Sequence, residues 1–175
     1  LIPLLKDSYS DVRGRAAEAL GQIVSETVIE RLIPLLQDSD SSVRMSAAEA
    51  LGQIGSETGI EGLIPLLQDS DSSVRMSATE ALGQIGSETV VEQLIPLLQD
   101  SDFNVRRSAA YALGRIASET AIEGLIPLLQ DSNSYMRIGV ASALGQIGSE
   151  TVIEQLIPLL QDCLLYTSPS PRDLL

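Results

Sequence analysis

The sequence predicts an all-α fold, a superhelix of stacked two-helix units. Three observations predict it. The pentapeptide Leu-Ile-Pro-Leu-Leu begins at Leu1, Leu32, Leu63, Leu94, Leu125 and Leu156, a strict 31-residue period. Within each period two apolar stripes carry helical spacing. No single unit holds enough apolar surface to stand alone, so the stripes must be shared between neighbours. The units run 1–31, 32–62, 63–93, 94–124 and 125–155, with a partial sixth at 156–162, and we take 1–162 as one solenoid.

Each unit divides into a helix A and a helix B. Thr27 with Glu30, repeated as Thr58/Glu61, Thr89/Glu92, Thr120/Glu123 and Thr151/Glu154, reads as a capping box opening helix A. Val28, Ile29, Leu32, Ile33 and Leu36 supply its apolar stripe. Pro34 lies inside it and should kink it, since proline lacks an N–H and crowds the preceding turn. Helix A should therefore run about ten residues and end near Asp38 at a polar turn.

Asp40, Asp71, Asp102 and Asn133 then suit the N-cap of helix B. Val43, Ala47, Ala50, Leu51 and Ile54 line one face of a helix of about thirteen residues. Gly55, Gly86 and Gly148 close it, while Val24 and Ala117 stand where that glycine is expected. A second glycine sits inside helix B at Gly21, Gly52, Gly83, Gly114 and Gly145, at a cost of about 1 kcal/mol relative to alanine. Close approach of successive B helices on the inner side of the curve accounts for it, with loosening of the helix end as the alternative.

Composition narrows the function. The net charge is −13, with 24 acidic residues against 11 basic ones. A body this acidic repels phosphate backbones, so nucleic acid is not the expected partner. The chain has no histidine, which removes the commonest general base and metal ligand. The acidic residues form no Asp-x-Asp-x-Asp-Gly calcium loop, and the Gly-Ser-Glu-Thr turns lack the lysine of a phosphate loop. Glu30 and Glu57 are accounted for by capping and the helix dipole. No apolar run is long enough to span a membrane and no secretory leader opens the sequence. We therefore expect a cytoplasmic protein with no cofactor, no metal and no catalytic activity of its own. Leu1 falls inside a repeat, so we expect a piece of a longer array whose ends expose apolar stripes and associate.

Leu-Ile-Pro-Leu-Leu-Gln-Asp, a polar turn, and Val-Arg-x-x-Ala-Ala-x-Ala-Leu-Gly-x-Ile together resemble the HEAT repeat. The short unit and its Ala-Leu-Gly-x-Ile-Gly ending look most like the phycobilisome-lyase HEAT-like subtype. The resemblance covers residues 1–162, with local departures at Met136 and Gly139-Val140. It implies a right-handed superhelix acting as scaffold or recognition surface. Some family members are bilin lyase subunits or chaperones for pigment proteins; a relative, deoxyhypusine hydroxylase, binds iron through His-Glu pairs that this chain lacks. The resemblance also implies a ladder in which Arg44, Arg75, Arg106 and Arg137 (and Arg13) reach the turns of Asp38, Asp69, Asp100 and Asp131 (and Asp7) in their own or the next unit.

After Asp162 the pattern stops. Cys163-Leu-Leu-Tyr-Thr-Ser-Pro-Ser-Pro-Arg-Asp173 resembles the translation of a transposase sequencing adapter, and a Pro/Ser-rich disordered tail is the alternative. Both readings exclude 163–175 from the fold, and with them the single cysteine.

Shared residues serve stacking, so function is expected where units differ. The informative column runs along helix B, away from the core. It reads Ser10, Gly14, Glu18, Gln22 in unit one; Ser41, Met45, Glu49, Gln53 in unit two; and Ser72, Met76, Glu80, Gln84 in unit three. Unit four carries Phe103, Arg107, Tyr111 and Arg115, and unit five Ser134, Ile138, Ser142 and Gln146. Tyr and Arg dominate interface hot spots and Met adapts to irregular partners. Phe103, Arg107, Tyr111, Arg115, Ile138, Met76 and Met45 are therefore the expected contacts with another protein, one offering an acidic or aromatic segment. A phycobilin lyase subunit or pigment-protein chaperone is the alternative, and a regulatory sensor arm of a larger enzyme a third.

Overall fold

The computed structural model describes residues 1–148 together with Glu150, Val152, Ile153 and Ile157. The Thr151/Glu154 box, most of the partial sixth unit and the tail 163–175 lie outside the described residues. Those residues form α-helices and 3-10 segments without a strand.

Unit one opens with a 3-10 segment at Ile2–Lys6 and continues into α1 (Ser10–Gly21). The A elements that follow are α2 (Glu26–Leu32), α4 (Ile60–Leu63), α6 (Val91–Leu94) and α8 (Glu119–Leu125). The B helices are α3 (Ser41–Ile54), α5 (Ser72–Ile85), α7 (Phe103–Ile116) and α9 (Ser134–Ile147).

Helix A is not one kinked α-helix. Each A element changes into a 3-10 segment, Ile33–Gln37 after α2 and Ile64–Gln68 after α4, with proline in its first two positions. The missing proline N–H falls where the α-helical ladder gives way to tighter i→i+3 bonds, so the cost of the residue is small. The capping expectation also shifts. Ser25, Ser56, Ser87 and Ser118 hold the extended backbone of an N-cap, while Thr27, Thr58 and Thr120 already lie within the first turn. The Ser56 hydroxyl accepts from the Thr58 N–H at 3.3 Å and the Ser118 hydroxyl from the Ala121 N–H at 3.2 Å. At these two turns serine is the better cap because its short hydroxyl reaches a free N–H of the turn that begins at glutamate. Ser25 and Ser87 hold the N-cap backbone without a side-chain bond to that turn's N–H groups.

The B helices begin as expected. The side chains of Asp40, Asp71, Asp102 and Asn133 accept from the N–H two residues on, at 2.7–2.9 Å. Gly55, Gly86 and Gly148 close them in the left-handed region (φ +70°, +74° and +59°). Ala117 adopts the same conformation at φ +56°, the one non-glycine residue among those described to do so. Val24 takes the other course. A β-branched residue tolerates that region poorly, α1 stops at Gly21, and Ile23 is 47% exposed where its counterpart Ile54 is 8%.

One continuous aliphatic core runs through the stack, from Leu5 to Val152. Leu32, Leu63, Leu94 and Leu125 of the A elements are fully buried, as are Val43, Val74 and Val105 of the B helices. Successive B helices pack along their length, α1 on α3, α3 on α5, α5 on α7 and α7 on α9, whereas successive A elements touch at few positions. The mid-helix glycines explain the difference. A Cβ built on Gly52 would stand 2.7 Å from the Ala81 Cα, and one on Gly114 2.6 Å from the Ala143 Cβ. The closely spaced B row thus forms the inner side of the curve.

Candidate functional site

Three polar ties join successive B helices from α1 to α7, and all three change at the next junction. The first is the arginine ladder. Arg13, Arg44 and Arg75 donate through Nε and Nη2 to both carboxylate oxygens of Asp38, Asp69 and Asp100, at 2.7–2.9 Å, always in the following unit. Nη1 of each donates to the carbonyl of the aspartate in its own turn, at 2.9 Å. One guanidinium therefore clamps two turns, a geometry a lysine point charge lacks. The bond from Arg13, Arg44 or Arg75 holds its carboxylate below the usual range, against the opposing effect of burial.

The second tie was not legible as such in the sequence. Glu18, Glu49 and Glu80 accept from the hydroxyls of Ser46, Ser77 and Ser108 in the next unit, at 3.4, 3.0 and 2.8 Å. Those serines are buried, and their only signal was a constant position flanking the alanines. The third tie is smaller. The N-cap carboxylates of Asp40, Asp71 and Asp102 are lowered first by the groups they cap, Ser42, Ser73 and Asn104, and also by Ser10, Ser41 and Ser72 of the preceding unit.

All three ties change together between units four and five. Arg106 keeps its bonds to the Asp100 and Ser101 carbonyls but makes none to Asp131. That rung of the expected ladder is absent. Its guanidinium carbon lies 5.5 Å from the centre of the Phe103 ring, and the aromatic contact takes the place of the carboxylate. Tyr111 stands where the glutamate was and Gly139 where the serine was, so that tie is lost from both sides. Phe103 replaces the serine of the third. Arg137 donates to the Asp131 and Ser132 carbonyls.

These facts redraw the predicted stripe. Phe103, Met45 and Met76 are partly buried and packed against the core, so they shape the face rather than project from it. Arg107 and Arg115 are exposed, Tyr111 is 43% exposed and Ile138 65%. Arg107, Tyr111 and Arg115 line one groove of about 470 Å³ with Glu80, Gln84 and Gln146, its floor made by Gly83, Ser108 and Ala112. Arg115 Nε donates to the Gly83 carbonyl at 3.2 Å, which fixes that side chain across the floor. Arg107 makes no hydrogen bond or ion pair with any described residue, and Glu80 beside it is engaged by Ser108. No buried side-chain polar atom among the described residues lacks a partner. No group of His, Cys, Asp or Glu suited to a metal ion occurs among them, and no helix is long and apolar enough to cross a membrane.

A family model for HEAT repeats matches residues 1–82, 56–110 and 91–165. Among solved structures, an engineered protein is 30% identical, with 97% of this chain and 88% of that one covered and a TM-score of 0.71. The complex of CpcE and CpcF of phycocyanin lyase from Nostoc sp. PCC7120 is 26% identical, with 91% and 68% covered and a TM-score of 0.76. A designed armadillo repeat protein bound to the peptide (KR)4 shares the fold at 22% identity and a TM-score of 0.66, over 83% and 80% of the two chains. No curated protein sequence matches.

Proposed function

The chain belongs to the HEAT-repeat family, and from that premise we propose that it is a protein-interaction scaffold whose B-helix face holds its partner. One observation carries this reading. The buried leucines that stack the units are kept from repeat to repeat, while the inner column changes in unit four to Arg107, Tyr111 and Arg115 around a groove. Tyrosine and arginine supply large contact area and directed donors, the usual composition of binding hot spots.

The test is a paired substitution. Arg107→Glu with Tyr111→Ala removes a donor and an aromatic surface without touching the core. Proteins cross-linked to the wild-type chain are identified, purified and titrated against both forms. Loss of binding with unchanged far-ultraviolet circular dichroism supports the proposal; identical affinities for the two forms refute it.

A second reading is favoured by the likeness to the phycocyanin lyase complex. On this reading the chain is a subunit of a phycobilin lyase or a chaperone for a pigment protein. Co-expression with a phycobiliprotein subunit and its bilin tests it: covalent pigment absorbance that depends on this chain supports it, and its absence rejects it.

A further inference from the structure

The groove's charges alternate along its length, and that order specifies a partner. Arg107 and Arg115 stand eight residues apart on α7, and at 1.5 Å per residue their Cα atoms are separated by about 12 Å. Between them lie Tyr111 and, from the opposite wall on α5, Glu80. The sequence of chemistry along the floor is cation, aromatic ring beside an anion, cation. An extended peptide rises about 3.3 Å per residue and turns every second side chain to the same side. Its residues i and i+4 thus span about 13 Å, with i+2 facing the same wall midway.

Resting on the scaffold reading above, we propose that this groove takes an extended segment with carboxylates at i and i+4 and an aliphatic or aromatic residue at i+2. The two carboxylates meet Arg107 and the Nη groups of Arg115, none of which bonds to another described residue. The middle side chain lies on the Tyr111 ring, where an apolar surface suits the ring face. Glu80 enforces the pattern by repelling a third carboxylate at that point, since like charges facing one another in a confined groove are costly. The molecule as a whole is strongly acidic, at net charge −13. An acidic segment is therefore disfavoured over most of the surface and attracted at this one place, which confers position as well as affinity.

The experiment titrates three short labelled peptides into the full chain by fluorescence anisotropy. One has the core Asp-Ser-Leu-Ser-Asp, one its isomer Asp-Asp-Leu-Ser-Ser, and one the amide Asn-Ser-Leu-Ser-Asn. The spaced diacid should bind roughly tenfold more tightly than the amide, as expected for losing a hydrogen bond to a charged group, and more tightly than the isomer. Arg107→Gln and, separately, Arg115→Lys should each erase most of that preference, with circular dichroism unchanged. Equal binding of diacid and isomer overturns the spacing, and equal binding by wild type and variants overturns the site. If the Arg107→Glu/Tyr111→Ala form loses its identified partner while the peptides show no preference, the recognition pattern fails and the scaffold reading stands. If the peptide preference holds while that partner stays bound, the scaffold reading fails instead.

Discussion

Gly83 of α5 lies so close to Ala112 of α7 that a Cβ added to it would stand 2.6 Å from the Ala112 Cβ and 2.7 Å from its Cα. The same relation holds between Gly21 and Ala50 and between Gly52 and Ala81. Each glycine gives up helix propensity so that two backbones can meet, and the sum of those contacts sets the spacing of the inner row.

Replacing Gly83 by alanine should therefore destabilise the protein although alanine is the better helix former. The propensity gain is about 1 kcal/mol, and overpacking against a neighbouring backbone costs about 1–3 kcal/mol. We expect a net loss in urea unfolding. Gly139→Ala is the control: a Cβ there meets nothing within 4 Å, so that variant should gain about 0.5–1 kcal/mol. A stabilised Gly83→Ala would refute the close-approach account.

Ala117 occupies a left-handed position that costs about 1 kcal/mol for a residue with a Cβ. Ala117→Gly should raise the stability of the α7–α8 turn by a similar amount. Val24→Gly should act differently, since Val24 does not occupy the left-handed region: it permits α1 to extend and Ile23 to bury as Ile54 does. An added helical signal in circular dichroism, with a higher melting temperature, would register both.

The arginine clamps make stability depend on acid. Asp38, Asp69 and Asp100 are held below their ordinary range in the folded chain, first by their bonds to Arg13, Arg44 and Arg75. Depressed carboxylates contribute stability that is fully present above the unfolded-state value, near pH 4, and is lost as pH falls through the folded value. Unfolding free energy should thus be level above about pH 5 and fall below about pH 4. Asp69→Asn should be less stable at neutral pH and should flatten part of that slope; an unaltered slope would count against the clamp.

The junction of units four and five should open first. It lacks the Arg–Asp, Glu–Ser and Ser–cap ties that the earlier junctions possess, and nearest-neighbour interfaces govern the stability of a repeat array. Hydrogen exchange should show the amides of α9 less protected than those of α3 and α5. Tyr111→Glu combined with Gly139→Ser should narrow the gap by restoring one tie. Uniform protection across the B helices would contradict this.

Much of this architecture was legible in the chain itself. The 31-residue period, the Asp40 and Asp71 caps, the closing glycines and the aliphatic stripes are local signals, each written within a few turns of helix. The same locality explains the errors. Ser56 and Thr58 lie two residues apart with similar hydroxyls, and only the backbone angles decide which one caps.

What tertiary structure alone decided is the relation between units. The sequence by itself determined that every full unit carries the arginine and the aspartate, and which units keep the serine and the glutamate. It did not determine that Arg44 skips its own Asp38 carboxylate for Asp69, or that Glu49 finds Ser77. Nor did it determine that Phe103 turns inward beneath Arg106, or that Arg107 makes no hydrogen bond or ion pair with any described residue. Periodicity fixes the angle of a side chain about its own helix, whereas its partner depends on the offset between one helix and the next. That offset is set by how closely glycine and alanine let the backbones approach.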